Sequence, residues 1–149
     1  MLDGVYQWEV TLNQYAGTKT FLFLVHIHIL FLDCYSAVGV ATANFDLANG
    51  QMGMDAESWG VSLYPGSHSP SGDKRVQVPA RLLQGSKVRC KYDSTGSTLT
   101  VNVLSDGTNV SFTKLFNNVP STSTRPLYPV LTVCELTSGG YTIRPLTTF

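Results

Sequence analysis

Apolar and polar residues alternate along most of this chain with a period of two. In Gly4–Leu12 (GVYQWEVTL), Tyr6, Trp8, Val10 and Leu12 fall on one side; Val5, Gln7, Glu9 and Thr11 fall on the other. That pattern predicts a strand whose aromatic side lies on the core. Val38–Thr42 (VGVAT) is small or β-branched, the composition of a buried strand with close neighbours. Trp59, Val61 and Leu63 alternate with Gly60, Ser62 and Tyr64 and predict a half-buried strand. Further alternation places Val76 and Val78 on one side of Lys74–Val78, with Arg75 and Gln77 opposite. Val88, Cys90 and Tyr92 alternate with Lys87, Arg89 and Lys91, three cations that read as a solvated strand face. Leu99, Val101 and Val103 point inward from Thr98–Leu104, and Val110, Phe112 and Lys114 share a side of Asn109–Phe116. Leu127–Val133, with Pro129 marking a sheet edge or strand start, and Tyr141–Arg144 complete the set.

Turn signals separate these runs. Ala43–Glu57 and Pro65–Asp73 are loops rich in Asn, Asp, Gly, Ser and Pro. Asp93–Ser97 predicts a hairpin turn with Gly96 at a positive φ, and Asp106-Gly107 is a strong hairpin signal. Short strands at regular spacing imply an all-β fold, an antiparallel sandwich or barrel, and the 149 residues form one domain.

Thr20–Leu32 (TFLFLVHIHILFL) breaks the pattern, because only His26 and His28 are polar from Phe21 onward. As a strand, Phe21, Phe23, Val25, Ile27, Ile29 and Phe31 share one face, and the two histidines share the other with Leu22, Leu24, Leu30 and Leu32. A spanning helix needs about 20 apolar residues, and Lys19 and Asp33 bound a shorter run. The run starts too late, and without a basic leader, for a signal peptide.

Composition narrows the function. Charge is sparse at 13% and balanced, 10 basic against 10 acidic residues, which argues against nucleic acid or an anionic membrane as partner. A hydrophobic content of 43% argues against disorder. Three widely spaced cysteines, Cys34, Cys90 and Cys134, make neither a disulfide framework nor a zinc site and suit a reducing, cytoplasmic setting. Cys90 and Cys134 read as small buried hydrophobes.

Candidate chemistry is thin. His26 and His28 point the same way on a strand, and Cys34 or His68 could add a metal ligand, but no carboxylate lies close by. Asp46, Asp55 and Glu57 lack the order of a calcium loop. No nucleophile sits beside a base in a recognised arrangement, so the expectation is no enzyme, no metal and no cofactor.

Trp8-Glu9-Val10, VGVATA (Val38–Ala43), ESWG (Glu57–Gly60) and Leu127-Tyr128-Pro129 occur in the order seen in SPRY (B30.2-like) domains. The resemblance is strongest to the SPRY/SOCS-box branch. It implies a bent, concanavalin-like β-sandwich that binds a protein or peptide through loops at one end. Relative to the family, residues 20–33 look inserted, as a true extra strand or the product of a retained intron. The branch's ligand-lining Tyr falls near Ala48 here, and its Trp near Glu135 and Leu136, so its Asn-rich peptide ligand does not carry over. The double hairpin departs too, with Thr100 and Val101 where the family has an aromatic pair. Neither a PRY segment nor a SOCS box, RING or coiled coil is present, so a ubiquitin-ligase role would need other domains or partners.

Loop candidates for partner binding are Tyr15, Asn44, Phe45, Met52, Met54, His68, Glu135 and Leu136. Phe45, Met52 and Met54 can either tuck into the core or stand out as adaptable contacts. In the second case, truncating Phe45, Met52 and Glu135 would cost binding and spare stability. A lectin-like sandwich, with Tyr15, Tyr64 and Trp59 stacking on sugar, is the alternative function.

Overall fold

Among the described residues ten strands form in chain order: β1 (Val5–Leu12), β2 (His28–Phe31), β3 (Ala37–Thr42), β4 (Ser58–Ser62), β5 (Arg75–Gln77), β6 (Lys87–Asp93), β7 (Thr98–Leu104), β8 (Val110–Phe116), β9 (Leu127–Val133) and β10 (Tyr141–Pro145). This computed structural model describes residues 4–13, 28–31, 37–46, 52–63, 74–80, 82, 84–105, 107–120, 126–133 and 141–147. The strands make two five-stranded sheets, ordered β10-β1-β6-β7-β8 and β2-β9-β3-β4-β5.

The inward sides of the two sheets meet in one core. β1 supplies Trp8 and Val10; β6 and β7 supply Val88, Cys90, Tyr92, Leu99, Val101 and Val103. The second sheet answers with Val38, Val40, Trp59, Val61, Leu127 and Leu131. These are the positions that alternation selects, because a pleated strand sends successive side chains to opposite faces. Cys90 is a fully buried thiol, and burial pushes its ionisation far up.

The sandwich is antiparallel in its interior and departs from that at two edges. β2 pairs with β9 in parallel, His28 opposite Val130 and Phe31 opposite Val133. β5 pairs with β4 in parallel, Gly60 opposite Arg75. Of the apolar run, 28–31 is a strand at the rim of the second sheet, and 21–27 lies outside the described residues. Among the described residues no helix is long and apolar enough to cross a membrane.

One turn expectation and one strand-face expectation need correction. In the β6–β7 hairpin, Ser97 holds the left-handed conformation (φ 52°), and Gly96 does not. Asp93 Oδ1 accepts from the N–H groups of Thr95 (2.9 Å) and Gly96 (3.2 Å), so the side chain fixes the start of the turn and the αL step comes at its end. In β8, the ladder shifts register between Val103 and Leu104. The resulting irregularity takes Val110 off the inward side, and it is exposed where alternation put it beside Phe112.

The β3–β4 pair is the tightest place in the fold. Gly39 lies opposite Gly60. A Cβ on Gly39 would fall 1.9 Å from the Trp59 carbonyl oxygen and 2.6 Å from the Gly60 Cα. The strand that alternation marks as half-buried is buried on both sides: Ser58 and Ser62 are as inaccessible as Val61. Small residues on that outer side let a loop lie directly against the sheet.

Candidate functional site

That loop is 43–57. Its described parts, 43–46 and 52–57, follow the Thr42 end of β3 and lead into β4, with Phe45 and Met52 against the outer side of the second sheet. Phe45 and Met52 pack with Ala37, Ala41 and Val130 in a second apolar cluster, and Met52 Sδ lies over Gly60. A side chain at 60 would fill the space that Met52 occupies.

Polar contacts pin the loop at both ends. At its start, Thr42 N–H donates to Glu57 O (2.8 Å), and the Thr42 hydroxyl donates to the Glu57 carboxylate. Phe45 N–H closes a turn on Thr42 O at 3.1 Å. At its return, Asp55 Oδ1 accepts from Glu57 N–H and from the Ser58 hydroxyl, both at 2.9 Å. Gly53 N–H donates to Ser58 Oγ (2.8 Å). Gly53 has φ +79°, and a Cβ there would sit 2.5 Å from Lys74 O, so only glycine fits against β5. From β5, buried Arg75 donates Nη1 to Met52 O (2.9 Å). Lys74 Nζ lies 4.7 Å from the Trp59 ring centroid and donates to Asp55 O at 3.2 Å.

The outside of this loop is what it offers to a partner. Asn44 is exposed at the first turn, and Met54 is 47% exposed between pinned Gly53 and Asp55. An exposed methionine held between fixed neighbours loses little backbone entropy when it is covered. Phe45 (4% exposed) and Met52 (2%) are corrections to the loop candidates: both are core residues, because the loop folds inward over the small side of the sheet. Truncation therefore costs stability. Met52→Ala is expected to lose about 2–4 kcal/mol in denaturant unfolding, since the cavity opens onto backbone at Gly60 that cannot close it. A midpoint unchanged from wild type would contradict this packing.

Tyr15, His68, Glu135 and Leu136 lie outside the described residues, as do His26, Cys34, Tyr64 and Cys134. β9 ends, at Val133, near Ala37, at the opposite end of the sheet from Thr42. Trp59 is buried in the main core and is not available to stack on a sugar. Among the described residues no group of three or more His, Cys, Asp or Glu side chains is placed to hold a metal.

Sequence reasoning missed a charged cluster on the outward side of the first sheet. Glu9 of β1 is fully buried there. Its Oε2 accepts from Arg89 Nε of β6 and its Oε1 from Arg144 Nε of β10, each at 2.8 Å, and Lys87 Nζ lies 3.8 Å away. Burial alone would raise the Glu9 ionisation. Hydrogen bonds from Arg144 and Arg89, with the charges of Arg144 and Lys87, outweigh it and hold the carboxyl below its ordinary value of 4.5. Lys87 and Arg89 are therefore corrected from a merely solvated face to partners of a buried carboxylate. The only sequence signal was a lone acid in an otherwise neutral strand.

No family model matches the chain, and no curated protein matches it. Among solved structures, the SPRY domain of human HERC1 is similar, with a TM-score of 0.52 and 15% identity. The match covers 100% of this chain and 79% of that one. The sandwich is SPRY-like. At this identity the likeness concerns the fold.

Proposed function

We propose that this SPRY-like sandwich is a protein-interaction module that binds a peptide or protein surface through the outer side of the 43–57 loop. The observation that carries the reading is the pinned loop with Asn44 and Met54 exposed on a buried base. Rigid presentation lowers the ordering cost of binding, while methionine adapts its shape to the partner. The Asn44 amide can donate to and accept from a partner backbone.

In its finer form the proposal places the chain near the SPRY/SOCS-box branch, on the VGVATA and ESWG motifs. There it would select substrates for a ubiquitin ligase assembled from other domains or partners, in the cytoplasm. Cys90, a buried free thiol, is compatible with such a compartment.

Proximity labelling in cells identifies partners, and pull-down with purified protein tests the surface. Asn44→Ala with Met54→Ala is expected to weaken capture of a direct partner at least about ten-fold. Its melting temperature should stay within about 2 °C of wild type, because both side chains are exposed. Undiminished capture by this variant would reject the loop as the recognition surface.

A further inference from the structure

The outward side of the first sheet carries a second surface, remote in sequence from the 43–57 loop. One straight row crosses it: Arg144, Glu9 and Arg89 are direct neighbours on β10, β1 and β6, followed by Asn102 and Thr113 on β7 and β8. Lys87 stands one step along β6 on the same side. Three cations surround one carboxylate, which leaves two positive charges in excess. The carboxylate is buried, whereas the side chains of Lys87, Arg89 and Arg144 remain 32%, 32% and 56% exposed.

Both arginines engage Glu9 through Nε, and among the described residues neither guanidinium is bonded to another protein acceptor. The Nη groups are thus left to solvent on side chains that Glu9 already holds in place. Two strand spacings, about 10 Å, separate the two arginine positions. In an extended peptide, side chains two residues apart on one side lie about 7 Å from each other, a span that flexible glutamates can stretch to meet. The rest of the row is neutral: Thr113 Oγ1 donates to Asn102 Oδ1 (2.9 Å).

We propose that this face is a docking surface for an acidic segment of a partner protein, its carboxylates seated on the outward Nη groups of Arg89 and Arg144 and on Lys87. Glu9 is the positioning residue: it fixes both guanidiniums, and its single charge offsets only one of the three cations. An acidic peptide fits better than a membrane or a nucleic acid, because the patch is small and the chain as a whole is electrically neutral.

A fluorescent ten-residue peptide of alternating Glu and Ser, with a Gln–Ser control, tests this by anisotropy on the intact chain. The Glu–Ser peptide should bind and the control should not, and binding should fall as salt rises from about 50 to about 300 mM. Lys87→Gln with Arg144→Gln should weaken binding about ten-fold. The glutamine at 144 can still donate to Glu9, which protects the fold. Thr113→Glu, which touches none of the cluster, should weaken binding several-fold by repulsion. Asn44→Ala with Met54→Ala should leave this binding unchanged, which separates the two surfaces. Equal binding of both peptides, unchanged affinity in the Lys87/Arg144 variant, or a preference for phosphatidylserine vesicles or single-stranded DNA over the peptide would each overturn the proposal.

Discussion

Gly39→Val is expected to abolish folding, although valine is among the best strand formers. Strand preference reflects how well a side chain packs on a pleated surface, and at this position no volume exists. The first added carbon would lie 1.9 Å from the Trp59 carbonyl oxygen, 2.9 Å from its carbon and 2.6 Å from the Gly60 Cα. All three are backbone atoms of β4, and β3 is held on its other side by six paired residues of β9. Relief would require parting β3 from β4 or from β9. Even Gly39→Ala should lose more than about 3 kcal/mol, in the range of severe overpacking. Gly60→Ala is the informative comparison. Its nearest obstacle, 2.1 Å away, is the Met52 thioether, which can swing aside, although Val38 O at 2.6 Å still resists. Circular dichroism melts should rank wild type above Gly60→Ala, and Gly60→Ala above Gly39→Ala, with Gly39→Val unfolded at all temperatures. A Gly39→Val protein melting within about 5 °C of wild type would mean that β3 and β4 are not in this register.

Glu9→Ala carries the second large effect. It strips a buried acceptor from Arg89 and Arg144 and leaves three like charges around the vacated carboxylate position. Removing one partner of a buried ion pair costs about 3–5 kcal/mol; the partial exposure of both arginines puts this site at the lower end, about 3 kcal/mol. Glu9→Gln keeps the volume and one acceptor oxygen and should lose less. The charge also sets a pH dependence. The native carboxyl ionises below 4.5, so its contribution is complete above that pH and disappears as pH falls through the lower native value. The groups facing it are the cations Arg89, Arg144 and Lys87. Wild type should therefore lose stability on acidification below pH 4.5 more steeply than Glu9→Gln in urea titrations. Parallel acid profiles for the two proteins would show that Glu9 adds nothing as a charge.

Much of the frame was legible in one dimension. Alternation points Trp8, Val10, Val88, Cys90, Tyr92, Leu99, Val101 and Val103 inward, and all eight lie in the core. Strand boundaries followed from turn residues, since Asp93 and Gly107 act within a few positions of themselves. Gly39 was marked for close approach by its place in VGVAT. The candidate site was less legible. Phe45, Met52 and Met54 are alike in sequence, apolar residues in a polar loop. Only the path of the loop over Gly60 sends the first two inward and the third outward. Ser58 and Ser62 look like the wet side of a strand and are dry, because Asp55, Met52 and Arg75 come from segments that alternation on β4 does not register.

Period, turn chemistry and residue size thus determined, from the sequence by itself, that the chain is a stack of short strands and which side of most strands is apolar. These properties depend on neighbours a few residues away, which is the range over which sterics and local hydrogen bonds act. Tertiary structure alone decided the order of strands in the two sheets, the parallel pairing of β2 and β5, and the burial of both sides of β4. It also decided the fate of Glu9, whose partners Arg89 and Arg144 lie 80 and 135 residues away along the chain. Burial and charge pairing depend on what arrives from a distance, and strand pairing across such separations is written in no local pattern.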